Sequence, residues 1–109
     1  MTDLSKLIDI KYYEGEGYQP LVEFESWRVA ILKHIDELLP KNIDYMECHE
    51  ETDEVFILIK GRCILFLSDV KDGKIIKIHP VNMALGKFYN IKKKVFHTHT
   101  LSEDAEVVV

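Results

Sequence analysis

The chain has 109 residues, of which 47% are hydrophobic and 30% are charged. This length is enough for one hydrophobic core but too short for two, because domains usually hold about 100–200 residues. A formal net charge of −5 repels nucleic-acid phosphates, so we expect no nucleic-acid partner. No apolar run approaches the roughly 18 residues of a membrane helix, and residues 1–6 show no secretory signal. We therefore expect a cytoplasmic protein without a membrane partner, folded as a single domain over residues 1–109.

Short strands separated by turn residues follow one another along the chain. Residues 1–9 are expected to be frayed or to form a short helix, and residues 14–20 a connector, since their two glycines lack the third one of a dinucleotide loop. Gly61 predicts a tight joint between two neighbouring antiparallel strands, Asp72-Gly73 a hairpin turn, and Pro80 the end of a strand. The predicted strands are residues 27–33, 45–49, 54–60, 62–68, 74–79, 86–91, 95–100 and 106–109.

This pattern predicts an all-β sandwich or barrel, because it contains no amphipathic helix longer than about two turns. The chain stops inside an apolar run, residues 107–109, so we expect the native C-terminus to extend further. Two cysteines, Cys48 and Cys63, are too few for a disulfide framework. Both are expected to be reduced and to pack in the core or on a sheet face.

Strand alternation gathers side chains that could bind a metal. Glu47 and His49 share one face of their predicted strand, and Glu54 opens the next strand; His97 and His99 share a face near the C-terminus. Imidazole nitrogens and carboxylate oxygens together suit a first-row divalent cation and leave positions for water or substrate. The alternative is that these are ordinary surface or hydrogen-bonded histidines.

The segment from Glu47 to Gly61 resembles the first motif of the cupin family, which reads His-x-His, three or four residues, Glu, six residues, Gly. Here His49 matches the second histidine, Glu54 the glutamate and Gly61 the glycine. Residues 86–97 are similar to the second motif, with Gly86 and His97 at the spacing of its first glycine and its histidine. The resemblance implies a cupin-type double-stranded β-helix, a jelly-roll barrel.

The chain departs from the family pattern at three places. Glu47 stands at the first histidine, Lys41 at the glycine before the first motif, and Lys92 and Lys94 at the proline and glycine of the second. A glutamate ligand would favour harder cations such as Mn²⁺ or Fe²⁺ over Zn²⁺. Glu47 could instead be an outer group or a substrate contact, or mark a cupin that has lost its metal.

Two functions stay open at this stage. The resemblance implies a divalent metal (Mn, Fe, Ni or Zn) and a small polar molecule, and a metal-dependent enzyme of unknown reaction. The alternative is a metal-free module that binds a sugar or a carboxylic acid. His99 is a candidate acid or base, with a structural role as its alternative. The implied metal ligands are Glu47, His49, Glu54 and His97.

Aromatic and aliphatic side chains are expected to fill the interior and to leave one face for a partner. In residues 27–33, Trp27, Val29 and Ile31 point one way, and Ala30 and Leu32 the other. Whichever set misses the core needs cover, so we expect a homodimer; in a monomer, residues 8–13 would fold over that face. The expected interior side chains are Tyr45, Phe56, Leu58, Ile64 and Phe66, with Trp27 in a similar environment.

Overall fold

The computed structural model describes residues 3–35 and 46–109. A short 3-10 helix occupies Leu4–Lys6. In the described ranges no helix has the length and apolar character needed to cross a membrane. The strands are β1 (Tyr18–Phe24), β2 (Trp27–Lys33), β3 (Glu54–Lys60), β4 (Cys63–Lys71), β5 (Lys74–Asn82), β6 (Phe88–Ile91), β7 (His97–Leu101) and β8 (Glu106–Val108).

The strands form two antiparallel sheets. One has the order β1-β2-β8-β3-β6 and the other the order β5-β4-β7. Strands distant in sequence are neighbours: β8 lies between β2 and β3, and β7 pairs with β4. The predicted all-β architecture is confirmed, and its crossovers bring the beginnings of β3 and β7, which carry Glu54 and His97, near each other.

Two predicted segments near the N-terminal half were wrong in part. The expected connector at residues 14–20 overlaps β1, which begins at Tyr18 because this segment pairs with β2, Tyr18 opposite Leu32. Of the strand predicted at residues 45–49, Tyr45 lies outside the described residues. In residues 46–49, Glu47 forms an isolated β-bridge with His97. This segment therefore pairs with β7 at one point and does not form a continuous strand.

Gly61 forms a corner between the two sheets, not a hairpin. The prediction that β3 and β4 are neighbours was wrong, because β3 belongs to the five-stranded sheet and β4 to the three-stranded one. Gly61 has a φ of 74°, in the left-handed region. A Cβ at this position would lie 2.6 Å from the Ala105 Cα, so both the backbone angle and the close approach require glycine.

Pro80 does not end its strand, contrary to the sequence prediction. The strand β5 runs on to Asn82, with Pro80 opposite Phe66 in the ladder. The reason is position: β5 is the edge of its sheet, and proline is tolerated where its missing N–H would face away from the neighbouring strand.

The core lies between the sheets. Phe56 and Leu58 of β3 are buried in it, which confirms the predicted inward-facing side of this strand. In β4 the prediction that Ile64 and Phe66 face the interior was wrong. Cys63 and Leu65 are buried whereas Ile64 and Phe66 are half-buried, because the strand starts after the corner with Cys63 in its first inward position. Both cysteines are free, as expected.

The strand β2 buries the side chains of its second half. Ala30 and Leu32 are buried, together with Ile31. Trp27 is 53% exposed and Val29 42% exposed, so the prediction that Trp27 fills the interior was wrong. The segment at residues 8–13 does not bury this face, since Ile8, Ile10 and Tyr12 are themselves exposed.

Candidate metal centre

Three chain segments position the candidate ligands. Glu54 is the first residue of β3 and His97 the first residue of β7. Backbone hydrogen bonds in both directions join Glu47 and His97, at 2.8 and 2.7 Å, and hold the segment before β3 against the start of β7. The Lys94 amide donates to the His49 carbonyl at 2.7 Å and fixes that residue beside the turn that leads into β7.

The structure brings His49, Glu54 and His97 together. One ligand atom from each of the three side chains lies within 4.8 Å of the others. Glu54 uses both oxygens: Oε2 is 3.1 Å from His49 Nε2, and Oε1 is 3.3 Å from His97 Nε2. The two imidazole centroids are 5.7 Å apart. His97 is buried, Glu54 and His49 are half-buried, and the cluster therefore sits partly open to solvent.

A backbone carbonyl fixes the orientation of the His97 ring. Its Nδ1 lies 3.0 Å from the Val95 carbonyl oxygen and must donate, because a carbonyl only accepts. Nε2 is then either protonated, as in an imidazolium, or directs a lone pair towards Glu54. A histidine that ligates a metal through one nitrogen commonly donates its other N–H to such a carbonyl. The His97 geometry fits a ligand.

The His49 imidazole has an unsatisfied nitrogen facing the same carboxylate. Its Nε2 is buried and lacks a hydrogen-bond partner among the described residues, although Glu54 Oε2 is at ion-pair distance. The angle, not the distance, is unsuitable for a hydrogen bond. Two nitrogens and a carboxylate that converge in this way form a donor set suited to a first-row divalent cation.

Without a metal, the His97 and Glu54 side chains form an ion pair. Burial disfavours charge on His97, but the hydrogen bonds with Glu54 and the Val95 carbonyl outweigh it and raise the pKa of His97. Burial likewise opposes ionisation of Glu54, but the hydrogen bond from His97 and the nearby His49 lower the pKa of this carboxyl overall. The carboxylate is thus held in the ionised form that a metal needs.

Glu47 lies next to the cluster without joining it. Its backbone is directly opposite His97, but its side chain is exposed and is not one of the converging group. Of the four predicted ligands, the structure therefore brings three together and leaves the fourth at the rim.

His99 is half-buried beside His97, with both ring nitrogens buried, and does not join the group either. Burial, followed by the neighbouring His97, lowers the pKa of His99 to about 4. The Phe56 ring borders both histidines, with centroid distances of 6.2 Å to His97 and 6.0 Å to His99.

The contributions of Val95 and Lys94 were not found from the sequence. Lys94 has a φ of 70°, the left-handed conformation that explains why the second cupin motif has glycine at this place. The mismatch of lysine with that glycine was visible in the sequence and was the signal that this turn is special. The orienting carbonyl of Val95 left no signal, because any residue has one.

Comparison with known proteins identifies the fold. No protein-family model and no curated protein sequence matches the chain. A solved cupin-2 domain-containing protein from Shewanella frigidimarina NCIMB 400 is similar in structure, with a TM-score of 0.60 and 18% identity over 89% of this chain and 80% of that one. The chain therefore has the fold of a small cupin domain, as its motifs implied.

Two structures of HppE are also similar. Fe(II)-HppE with the alternative substrate (S)-1-HPP gives a TM-score of 0.57 at 13% identity and 84% coverage of this chain. Co(II) HppE in complex with substrate gives 0.55 at 12% identity and 97% coverage. The chain spans about half of those proteins, 46% and 59% of their lengths. At these identities the likeness is one of fold.

Proposed function

We propose that this chain is a small cupin-fold protein that binds a divalent metal through His49, Glu54 and His97 and holds a small polar molecule beside it. The metal, one of Mn, Fe, Ni or Zn, would supply Lewis-acid chemistry, with a metal-dependent reaction as the resulting activity. The two free thiols fit a reducing, cytoplasmic location.

The observation that supports this proposal most strongly is the convergence of one ligand atom each from His49, Glu54 and His97 within 4.8 Å of one another. His97 Nδ1 donates its hydrogen to the Val95 carbonyl, which leaves Nε2 as the nitrogen that faces Glu54 Oε1, at 3.3 Å. His49 presents a second nitrogen, without an aligned proton, to the other oxygen at 3.1 Å. A cation bound among these atoms would replace the proton that His97 Nε2 shares with Glu54 and would give the His49 nitrogen the partner that it lacks. Fe(II) and Co(II) bound to proteins of the same fold support the assignment.

The test is the metal content and affinity of protein purified without chelators or a metal-affinity tag. We expect close to one divalent ion per chain, measured by elemental analysis, and saturable uptake by calorimetry. His49→Ala and His97→Ala should each weaken binding by at least about 100-fold, because even the loss of an outer partner of a metal ligand costs 10–100-fold.

A matched control exists on β5, at the opposite edge of the three-stranded sheet from β7. His79 Nε2 lies 2.9 Å from Asp69 Oδ2, a histidine–carboxylate pair that belongs to no three-residue group in the described chain. His79→Ala should leave metal affinity unchanged. Protein that fails to take up Mn²⁺, Fe²⁺, Ni²⁺ or Zn²⁺, or that loses affinity equally in the His79 variant, would refute the metal centre and favour the metal-free sugar- or carboxylic-acid-binding module.

We also propose a homodimer formed through β1 and β2. Phe24 is 59% exposed and packs against Trp27, with ring centroids 6.1 Å apart. β1 is an edge strand, which can pair antiparallel with its own copy about a twofold axis and so cover these rings. Light scattering should give twice the monomer mass of 12.7 kDa, and Trp27→Lys should give the monomer. Ile76→Lys, on β5 at an edge of the three-stranded sheet, is the control and should leave the dimer intact.

A further inference from the structure

The two ring nitrogens of His99 are not satisfied by any neighbour in the described part of the chain. Both ring nitrogens are buried, and neither has a hydrogen-bond partner among the residues that the structure describes. An unpaired buried polar atom costs about 1–3 kcal/mol. A ring with two such atoms at the edge of a candidate site indicates that a bound molecule supplies the missing contacts.

The position of His99 places it beside the metal centre. His97 and His99 are two residues apart on β7, so their side chains lie on the same face of the strand. Both rings border Phe56, at centroid distances of 6.2 and 6.0 Å. A molecule held at the centre and packed against Phe56 would therefore meet His99 next.

The chemistry of the His99 imidazole and of the metal centre limits which class of molecule can bind there. A neutral imidazole offers one N–H donor and one acceptor nitrogen, and a hydroxyl group can satisfy either, since it both donates and accepts. At the centre, Glu54 is the one carboxylate in the converging group, so a divalent cation would keep a net positive charge there. A positive centre favours an anionic ligand.

We propose that His99 binds the hydroxyl group of a small hydroxy acid whose carboxylate lies at the metal centre. The position of the carboxylate rests on the proposed function, whereas the hydroxyl contact depends on His99 itself. His99 is thereby a specificity-determining residue that selects hydroxylated acids over plain ones.

The experiment compares lactate with propionate, which have the same carbon skeleton and charge and differ by one hydroxyl. Both are titrated into Zn²⁺-loaded and metal-free protein carrying ¹³C-labelled histidine. We expect lactate to bind the loaded protein at least about tenfold more tightly than propionate, because a site built around a hydrogen bond rejects the analogue that lacks it. The His99 ring resonances should move with lactate and not with propionate.

Two variants separate the contact from a structural role. His99→Phe, which removes both nitrogens but keeps an aromatic ring, should reduce the lactate preference to about one while leaving Zn²⁺ affinity within about twofold. His99→Asn, which keeps a donor and an acceptor, should restore part of the preference. Circular dichroism and thermal melting of each variant confirm that it is folded.

The outcomes distinguish this inference from the metal proposal. A lactate preference that survives in metal-free protein, with the His99 resonances moving, supports the hydroxyl contact even where Zn²⁺ fails to bind. Equal affinity for the two acids, binding of neither, or an unchanged preference in His99→Phe would overturn it. A drop of more than about tenfold in Zn²⁺ affinity in His99→Phe would also overturn it and make His99 a metal ligand.

Discussion

Substitution of Gly61 tests the corner that joins the two sheets. Gly61 and Gly73 have nearly equal backbone angles, with φ of 74° and 75°. A non-glycine residue in this left-handed region costs about 1–2 kcal/mol, so Gly61→Ala and Gly73→Ala share that penalty. The two positions differ in the room available for a Cβ atom. A Cβ on Gly73 meets nothing within 4 Å, whereas one on Gly61 would lie 2.6 Å from Ala105 Cα and 2.8 Å from Ser102 Oγ.

The steric part of the cost can be read from the difference between the two variants. The crowding atoms at Gly61 include backbone, so the loop before β8 must move, and overpacking of this kind costs about 1–3 kcal/mol. We expect Gly61→Ala to lower the free energy of unfolding by about 2–5 kcal/mol and Gly73→Ala by about 1–2 kcal/mol or less. Urea unfolding followed by far-ultraviolet circular dichroism measures both. Equal destabilisation by the two variants would refute the close packing of the corner.

Three further predictions address the centre and its turn. In metal-free protein the raised pKa of His97 stabilises the fold, and this stabilisation is fully present below the ordinary histidine pKa of 6.5. It is lost as pH rises through the raised pKa. The Tm difference between wild type and Glu54→Gln should therefore shrink on the alkaline side. The lowered pKa of Glu54 acts in the opposite sense, its stabilisation being present above the ordinary 4.5 and lost as pH falls through the lowered value; a Tm difference that does not vary with pH would contradict both. Lys94→Gly should stabilise the protein by about 0.5–1 kcal/mol in urea unfolding because it relieves a φ of 70°, whereas Lys93→Gly next to it should not. If Glu47 is a fourth ligand, Glu47→Gln should weaken metal binding and Glu47→His should shift preference towards softer ions; unchanged calorimetric titrations in both variants would place it outside the coordination shell.

The strands were predictable where local signals and tertiary structure agree. Asp72-Gly73 forms the expected hairpin between β4 and β5, and β3 has the expected buried face because alternation with Phe56 and Leu58 inward matches the sheet it joins. Which strands pair with each other was harder to predict from the sequence. Gly61 has the sequence of a tight hairpin and the structure of a sheet-to-sheet corner, because the contacts that decide it, with Ser102 and Ala105, come from about 40 residues further on.

The candidate site was predictable as far as motif spacing reached. The spacing selected His49, Glu54 and His97, which converge in the structure. Glu47 was included by its place in the motif, but its side chain is exposed, and a spacing rule carries no information on the direction of one side chain at an isolated bridge. The unsatisfied nitrogens of His99 could not have been foreseen either, since they depend on what surrounds the ring in three dimensions.

The hydrogen bond from His97 to the Val95 carbonyl links metal binding to proton release. Because Nδ1 is committed to that carbonyl, the proton that stabilises the metal-free ion pair with Glu54 can lie only on Nε2. Nε2 is also the nitrogen that faces the centre, so a cation and that proton compete for one lone pair. Below the raised pKa of His97, each metal bound must therefore displace a proton, and affinity should rise by about tenfold per pH unit. Above that pKa the nitrogen is already free, and this dependence on pH should disappear.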